Sequence, residues 1–207
     1  MALSLGFIAK GVVIGFSIAA PVGPIGLLCI RRSLAEGHGA GLATGLGAAT
    51  ADAAYGSIAG FGLTAVSSFL VGQRALLGLV GGVALCYLGI RTFIARPISE
   101  THTARTGSLG SAYFSTFFLT LANPMTILSF VAVFAGLGLG GTPEYVNAAL
   151  LVSGVFAGSA LWWLLLSSGS ALFRSQLNSD RMRIVNILSG TILLAFGIYS
   201  LTTVLFK

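Results

Sequence analysis

The chain has 207 residues, of which 56% are hydrophobic and only 8% charged, with a formal net charge of +6. Water-soluble domains carry about 25% charged residues, so this composition excludes an ordinary globular protein in water. The charge deficit comes in blocks: Asp, Glu, Lys, Arg and His are missing from 11–30, 75–90, 106–143, 145–173 and 184–206, and Asp52 alone interrupts 39–73. Barrel strands alternate polar and apolar over about ten residues. These blocks do not, which points to helices.

A spanning helix needs about 20 mainly apolar residues. Six stretches qualify, at about 5–30, 40–66, 75–94, 112–138, 146–168 and 184–205. The expected fold is an all-α integral membrane protein with six transmembrane helices. The first stretch has no basic residue before Lys10 and a longer apolar part than the 7–15 residues of a signal peptide, so it is expected to stay as a span. Lys10 is expected to reach back to the membrane surface.

Within that span, IAAPVGPIGLLC at 18–29 sets Pro21 and Pro24 around Gly23. Proline inside a helix removes a donor and clashes with the preceding turn, costing about 3 kcal/mol. At the first helical position the missing donor has no partner to lose. Pro24 is therefore expected either to kink the span or to open a second half-helix, with Gly23 supplying the bend.

In the second span, Asp52 is the one acidic residue deep in an apolar block. A carboxylate at a helix centre costs about 2.5–3.5 kcal/mol and marks a functional position. Gly45, Ala48, Ala49 and Gly56 recur at steps of three and four around it, a small-residue face that packs on other helices. Asp52 should point into the bundle, within reach of the Tyr55 hydroxyl one turn on.

The third and sixth spans match: GGVALCYLGI at 81–90 and SGTILLAFGI at 189–198 equate Gly82 with Gly190 and Gly89 with Gly197. Gly47 precedes Asp52 by the five residues that separate Gly154 from Ser159 in the fifth span. The first span breaks at APVGP, and the fourth at Ala122-Asn123-Pro124, where asparagine suits the N-cap and proline the first turn. Three helices per half make this an inverted repeat: 1–94, a hydrophilic linker at 95–111, and 112–207. Secondary transporters bind substrate near the midplane, at helix breaks in corresponding places of such halves. In the fifth span, Trp162 and Trp163 are expected at the membrane interface.

Arg31, Arg32, Arg91, Arg96, Arg105, Arg174, Arg181 and Arg183 fall in or beside the first, third and fifth loops, against Lys10, Arg74 and Lys207 on the other side. Basic loops stay cytoplasmic, so both termini should face outward. The positive charge then meets anionic membrane lipid and needs no nucleic acid. Cys29 and Cys86 lie in spans as small apolar side chains. No nucleophile triad, metal-ligand spacing or P-loop is present, so neither an enzyme nor a cofactor is expected.

The run GFSIAAPVGPIGLLCIRRSLAEGHGAGLATGLGAATADAAYG at 15–56 resembles the LysE-type amino-acid exporters, the superfamily of lysine/arginine and homoserine/threonine exporters. FLTLANPMTILSF at 118–130 resembles their second signature, an Asn-Pro in the fourth span. Two departures are the extra Val22 in Pro-Val-Gly-Pro and Met125, where many relatives have lysine. The resemblance implies export of amino acids or similar small metabolites across a bacterial-type inner membrane. On this reading Pro21, Gly23, Pro24, Asn123 and Pro124 bind the substrate carboxylate, and Asp52 with Tyr55 takes its amine or a coupled proton. Alternatives are an exporter of a metal ion or toxic small molecule and a non-transporting membrane subunit. A homo-oligomer is compatible with all three.

Overall fold

A computed structural model of the chain describes residues 2–21, 23–61, 72–95, 108–123, 126–127, 129–130, 145–173 and 179–205. Among them the regular structure is helical, in seven helices: α1 (Ala2–Ala19), α2 (Pro24–Ala35), α3 (His38–Gly60), α4 (Arg74–Phe93), α5 (Leu109–Leu121), α6 (Tyr145–Leu172) and α7 (Ser179–Leu205). Three of them, α4 over Ala75–Phe93, α6 and α7, are each long and apolar enough to cross a membrane, and α1 with α2 makes a fourth span if the bent pair is counted as one. The chain is thus a multi-pass membrane protein. Six spans were expected. The difference lies in α3, whose 23 residues are long enough at about 34 Å but diluted by Gly, Thr and Asp52, and in α5, an apolar helix of 13 residues.

The first break falls where the prolines place it. α1 ends at Ala19, and Ala20 N–H closes the last turn onto Phe16 O at 2.9 Å. Pro24 then occupies the first position of α2, Gly23 is the N-cap in extended conformation, and Leu27 N–H returns to Gly23 O at 3.1 Å. The axes of α1 and α2 differ by 82°. α2 ends in Glu36 and Gly37, whose φ of 101° belongs to the left-handed region that glycine enters without steric cost. That turn starts α3 at once.

The fourth span is interrupted in the same manner. α5 stops at Leu121, and Asn123 N–H bonds Thr120 O at 3.1 Å. Asn123 O then accepts from Thr126 N–H at 3.1 Å and Ile127 N–H at 3.3 Å, which opens a new helical turn, and residues 126, 127, 129 and 130 are helical. Pro124 and Met125 lie outside the described residues, as do the ends expected for the second and fourth spans and most of the 95–111 linker.

Close contacts fix how the helices run. A Cβ on Gly11 would strike the backbone of Leu151, Gly154 and Val155, and one on Gly158 that of Val12 and Phe16, so α1 and α6 lie parallel, backbone to backbone. Gly47 meets the Tyr113 carbonyl while Tyr55 reaches Leu121, so α3 and α5 are also parallel. Gly45 abuts Trp163 and Gly60 faces Ala148, making α3 antiparallel to α6. Gly82 abuts Leu201 and Gly197, and Gly89 abuts Leu194 and Gly190, making α4 antiparallel to α7.

Two apolar clusters surround the breaks. Ala19, Ile25, Leu28 and Cys29 pack with Ala48, Ala49, Leu119 and Trp163 at the first. Ile127 and Phe130 pack with Ile14, Tyr55, Leu151 and Val155 at the second. Leu76, Val80, Val83, Ile90, Ile184, Leu188 and Ile198 remain exposed on α4 and α7, as side chains that face lipid do.

The α1–α6 seam leaves no room for a side chain at Gly154, whose Cβ would strike Ile8 O, whereas Gly6 faces open space. Overpacking costs about 1–3 kcal/mol or more where backbone must move. Gly154→Leu should therefore lower the thermal midpoint and the folded yield in detergent, and Gly6→Leu should change neither. Size-exclusion chromatography with thermal melts reads both.

Candidate functional site

Asp52 lies at the middle of α3 and is 3% exposed. Its carboxylate accepts a hydrogen bond from Ser159 Oγ on α6 at 2.7 Å, and Ser159 Oγ in turn accepts from Trp163 Nε1 at 3.1 Å. The three form a directed chain, indole to hydroxyl to carboxylate. Among the described residues the recorded ion pair is Arg31 with Glu36 at 3.7 Å, and none of their basic side chains pairs with Asp52.

The position of Asp52 relative to the breaks follows from its neighbours on α3. Ala48 and Ala49 pack with Ala19 and Ile25, on either side of the first break. Tyr55 donates to Leu121 O at the end of α5, beside the second. Asp52 is three residues from both Ala49 and Tyr55, about 4.5 Å of helix rise each way. It therefore stands between the levels of the two interruptions.

The site residues named from the sequence fall on three elements: Gly23 and Pro24 at the first break, Asn123 at the second, and Asp52 and Tyr55 on α3. Pro21 is exposed in the first break. Tyr55 was expected to reach Asp52. Its hydroxyl goes to the Leu121 carbonyl instead, and its ring packs on Phe130 with centroids 5.6 Å apart. The tryptophans are also corrected. Trp163 is 5% exposed beside Ser159, and Trp162 stands edge-on to Phe16 of α1 at 5.4 Å. Both sit well inside the 28-residue α6, not at its end. The spacing held the clue: Ser159 and Trp163 are four apart and so share a helix face.

A second polar centre was missed altogether. Arg32, expected in or beside a loop, is on α2 and 8% exposed. Its Nη1 donates to Thr44 Oγ1 at 2.9 Å, Ala112 O at 3.0 Å and Thr116 Oγ1 at 3.0 Å, and its Nη2 to Ser115 Oγ at 2.9 Å. Thr44 and Thr116 direct their own protons to Ala40 O and Ala112 O, which turns their lone pairs toward the guanidinium. Arginine carries only donors, so this ring of acceptors suits it. Arg31, next in sequence, faces the other way: its Nε donates to Asn186 Oδ1 at 3.2 Å, and Asn186 Nδ2 donates to Ala95 O at 3.2 Å. The adjacent arginines thus fasten α2 to α3 and α5 on one side and to α7 and the end of α4 on the other.

Among the described residues no three His, Cys, Asp or Glu side chains gather as metal ligands. Cys29 and Cys86 are free thiols. What the arrangement offers is a buried acid, two interrupted helices and a buried cation in an apolar bundle.

These features are those of a membrane translocator. The chain belongs to the LysE type translocator family, whose pattern matches residues 16–203. It is similar to the "Putative amino acid efflux protein YcgF" of Bacillus subtilis (strain 168), 31% identical over 195 residues that cover 91% of each chain. It is also similar to the "Uncharacterized membrane protein YahN" of Escherichia coli (strain K12), 27% identical over 175 residues that cover 82% of this chain and 77% of that one. No solved structure matches it at a significant level.

The acceptors around Arg32 are spread over two helices, and a lysine ammonium cannot reach them all. Arg32→Lys should cost about 1–3 kcal/mol, read as a lower thermal midpoint of purified protein in detergent. An unchanged midpoint would contradict the role given to this ring of hydrogen bonds.

Proposed function

We propose that the protein is a secondary active exporter of amino acids or closely related small metabolites, coupled to protons. Membership of the translocator family and the likeness to a relative named for amino acid efflux support the substrate class. The observation that carries the mechanism is Asp52, buried with no basic partner among the described residues, hydrogen-bonded to Ser159 and standing between two helix breaks.

The architecture belongs to the proposal: six spans in an inverted three-plus-three repeat, with halves 1–94 and 112–207 joined by a cytoplasmic linker at 95–111. Helix directions support it. α1 is parallel to α6, α3 is antiparallel to α6, and α5 is parallel to α3. The first helix of one half, α1, therefore runs against the first helix of the other, α5. Residues equated by the repeat also meet as a two-fold axis requires. Asp52 bonds its own counterpart Ser159. Gly82 abuts Gly197 and Gly89 abuts Gly190, two contacts that exchange when Gly82 is equated with Gly190 and Gly89 with Gly197. The basic loops are assigned to the cytoplasm and both termini to the outside of an inner membrane.

In the transport cycle, the half-helix starts at Gly23-Pro24 and Asn123-Pro124, with Pro21 in the bend, offer about half a positive charge each to a substrate carboxylate. Asp52 takes the substrate amine, with Tyr55 holding the second break against α3. Moving a cation out of a negative interior is opposed by about 2.3 kcal/mol per charge per 100 mV. Proton entry in exchange offsets that cost, and protonation of Asp52 from outside releases the amine.

Asp52→Asn keeps the shape and the Ser159 contact but cannot ionise. In proteoliposomes it should lose pH-driven export, with exchange of radiolabelled amino acids strongly reduced against wild type. Full pH-dependent export by correctly inserted Asp52→Asn would remove Asp52 from the mechanism. Absence of counterflow for every cationic and neutral amino acid in wild type, with tight association to a second protein, would favour a non-transporting subunit.

A further inference from the structure

The buried hydroxyls of this bundle are hydrogen-bonded with one exception among the described residues. Ser33, Thr44 and Thr116 each donate to the carbonyl four residues back, at 2.8, 2.8 and 2.9 Å, and Ser159 donates to Asp52. Thr120 is 4% exposed, and its Oγ1 is buried with no partner. A buried hydroxyl without a partner is uncommon in native structures and calls for a reason.

Its place in the fold supplies one. Thr120 is in the last turn of α5, and its carbonyl accepts from Asn123 N–H, so it stands within a turn of the second break. It is four residues beyond Thr116 and therefore shares that helix face. Thr116 is a direct partner of Arg32, whose buried charge has no carboxylate paired with it among the described residues. The hydroxyl thus lies about one helical turn, some 5–6 Å, beyond Thr116, which accepts from the Arg32 guanidinium. A positive field on that side favours an anionic guest.

We propose that the Thr120 hydroxyl is a direct ligand of the transported solute and donates a hydrogen bond to its carboxylate at the Asn123 break, in the field of Arg32. This rests on the export reading above and adds to it a side chain that selects for the carboxylate. A solute with a carboxamide in that place lacks the charge that Arg32 attracts. A hydroxyl also bonds a carboxylate more strongly than a neutral carboxamide oxygen, so Thr120 adds to the preference for an acid over its amide.

Thr120→Val is nearly isosteric and removes only the hydroxyl, and Thr120→Ser keeps it. L-Lysine, L-leucine and their carboxamides serve as probes in proteoliposome counterflow. For Thr120→Val, the apparent KM of the transported amino acid should rise about five- to tenfold, the size expected of one lost hydrogen bond to a charged group, while that of its amide stays within twofold. Thr120→Ser should restore the wild-type preference. An equal change for acid and amide, or no change for either, overturns the proposal. The thermal midpoint of ligand-free protein is the second readout. Removing a hydroxyl that bonds nothing should leave it equal or raise it, and a clear drop for Thr120→Val would show that the hydroxyl serves the fold, overturning the proposal even if wild type carries none of the four probes. Absence of flux for all four in wild type counts against the export reading, separately from that stability result.

Discussion

The bond from Ser159 to Asp52 is the constraint on which the rest of the molecule depends. It requires α3 and α6 to meet near their middles with a carboxylate between them, in a bundle too apolar to solvate the charge. Small residues make that meeting possible. Gly45 lies against Trp163, and a larger residue there would push the indole off Ser159. The outer helices follow: α1 sinks into α6 along Gly11, Gly15, Gly154 and Gly158, and α5 approaches α3 at Gly47. The central acid and the glycine seams are therefore one design, in which backbones approach closely enough to exclude lipid from the polar groups.

The two breaks complete that arrangement. A continuous helix in hydrocarbon satisfies its own backbone, and an interrupted one is tolerated only where protein or a water-filled cavity covers it. Each interruption here has an apolar cluster beside it, with Leu28 and Cys29 near the first and Ile127 and Phe130 near the second. Tyr55 satisfies a carbonyl at the end of α5. Arg31 and Arg32 hold the far end of α2 to opposite neighbours. The breaks are thus supported at several points, and the half-helices have defined directions.

Much of this was legible in the sequence because proline, glycine and a lone acid leave strong local signals. Pro24 at the first position of α2, the restart at Asn123 and the inward direction of Asp52 all follow from backbone chemistry and from the cost of a charge in hydrocarbon. The matched spacings of Gly47 with Asp52 and Gly154 with Ser159 singled out two residues that the structure brings into contact. Partners were less legible. Tyr55 chose a carbonyl over the carboxylate one turn away, a choice set by where α5 ends. Arg32 looked like a loop charge because α2 runs to Ala35, further than hydropathy alone indicates, and its acceptors come from α3 and α5, which no local pattern reveals. Thr120 carries no sequence signal, since its distinction is the absence of a bond that its neighbours make.

The central claim is that Asp52 and Ser159 are equivalent positions on the axis between two inverted halves, so that either can carry the acid. Exchange of the two residues, Asp52→Ser with Ser159→Asp, tests it most directly by amino-acid counterflow in proteoliposomes. The account predicts that the exchanged protein inserts normally and regains flux that Asp52→Ser alone has lost. If the exchanged protein inserts normally yet is as inactive as Asp52→Ser, the two positions are not equivalent and the axis is not where the acid acts.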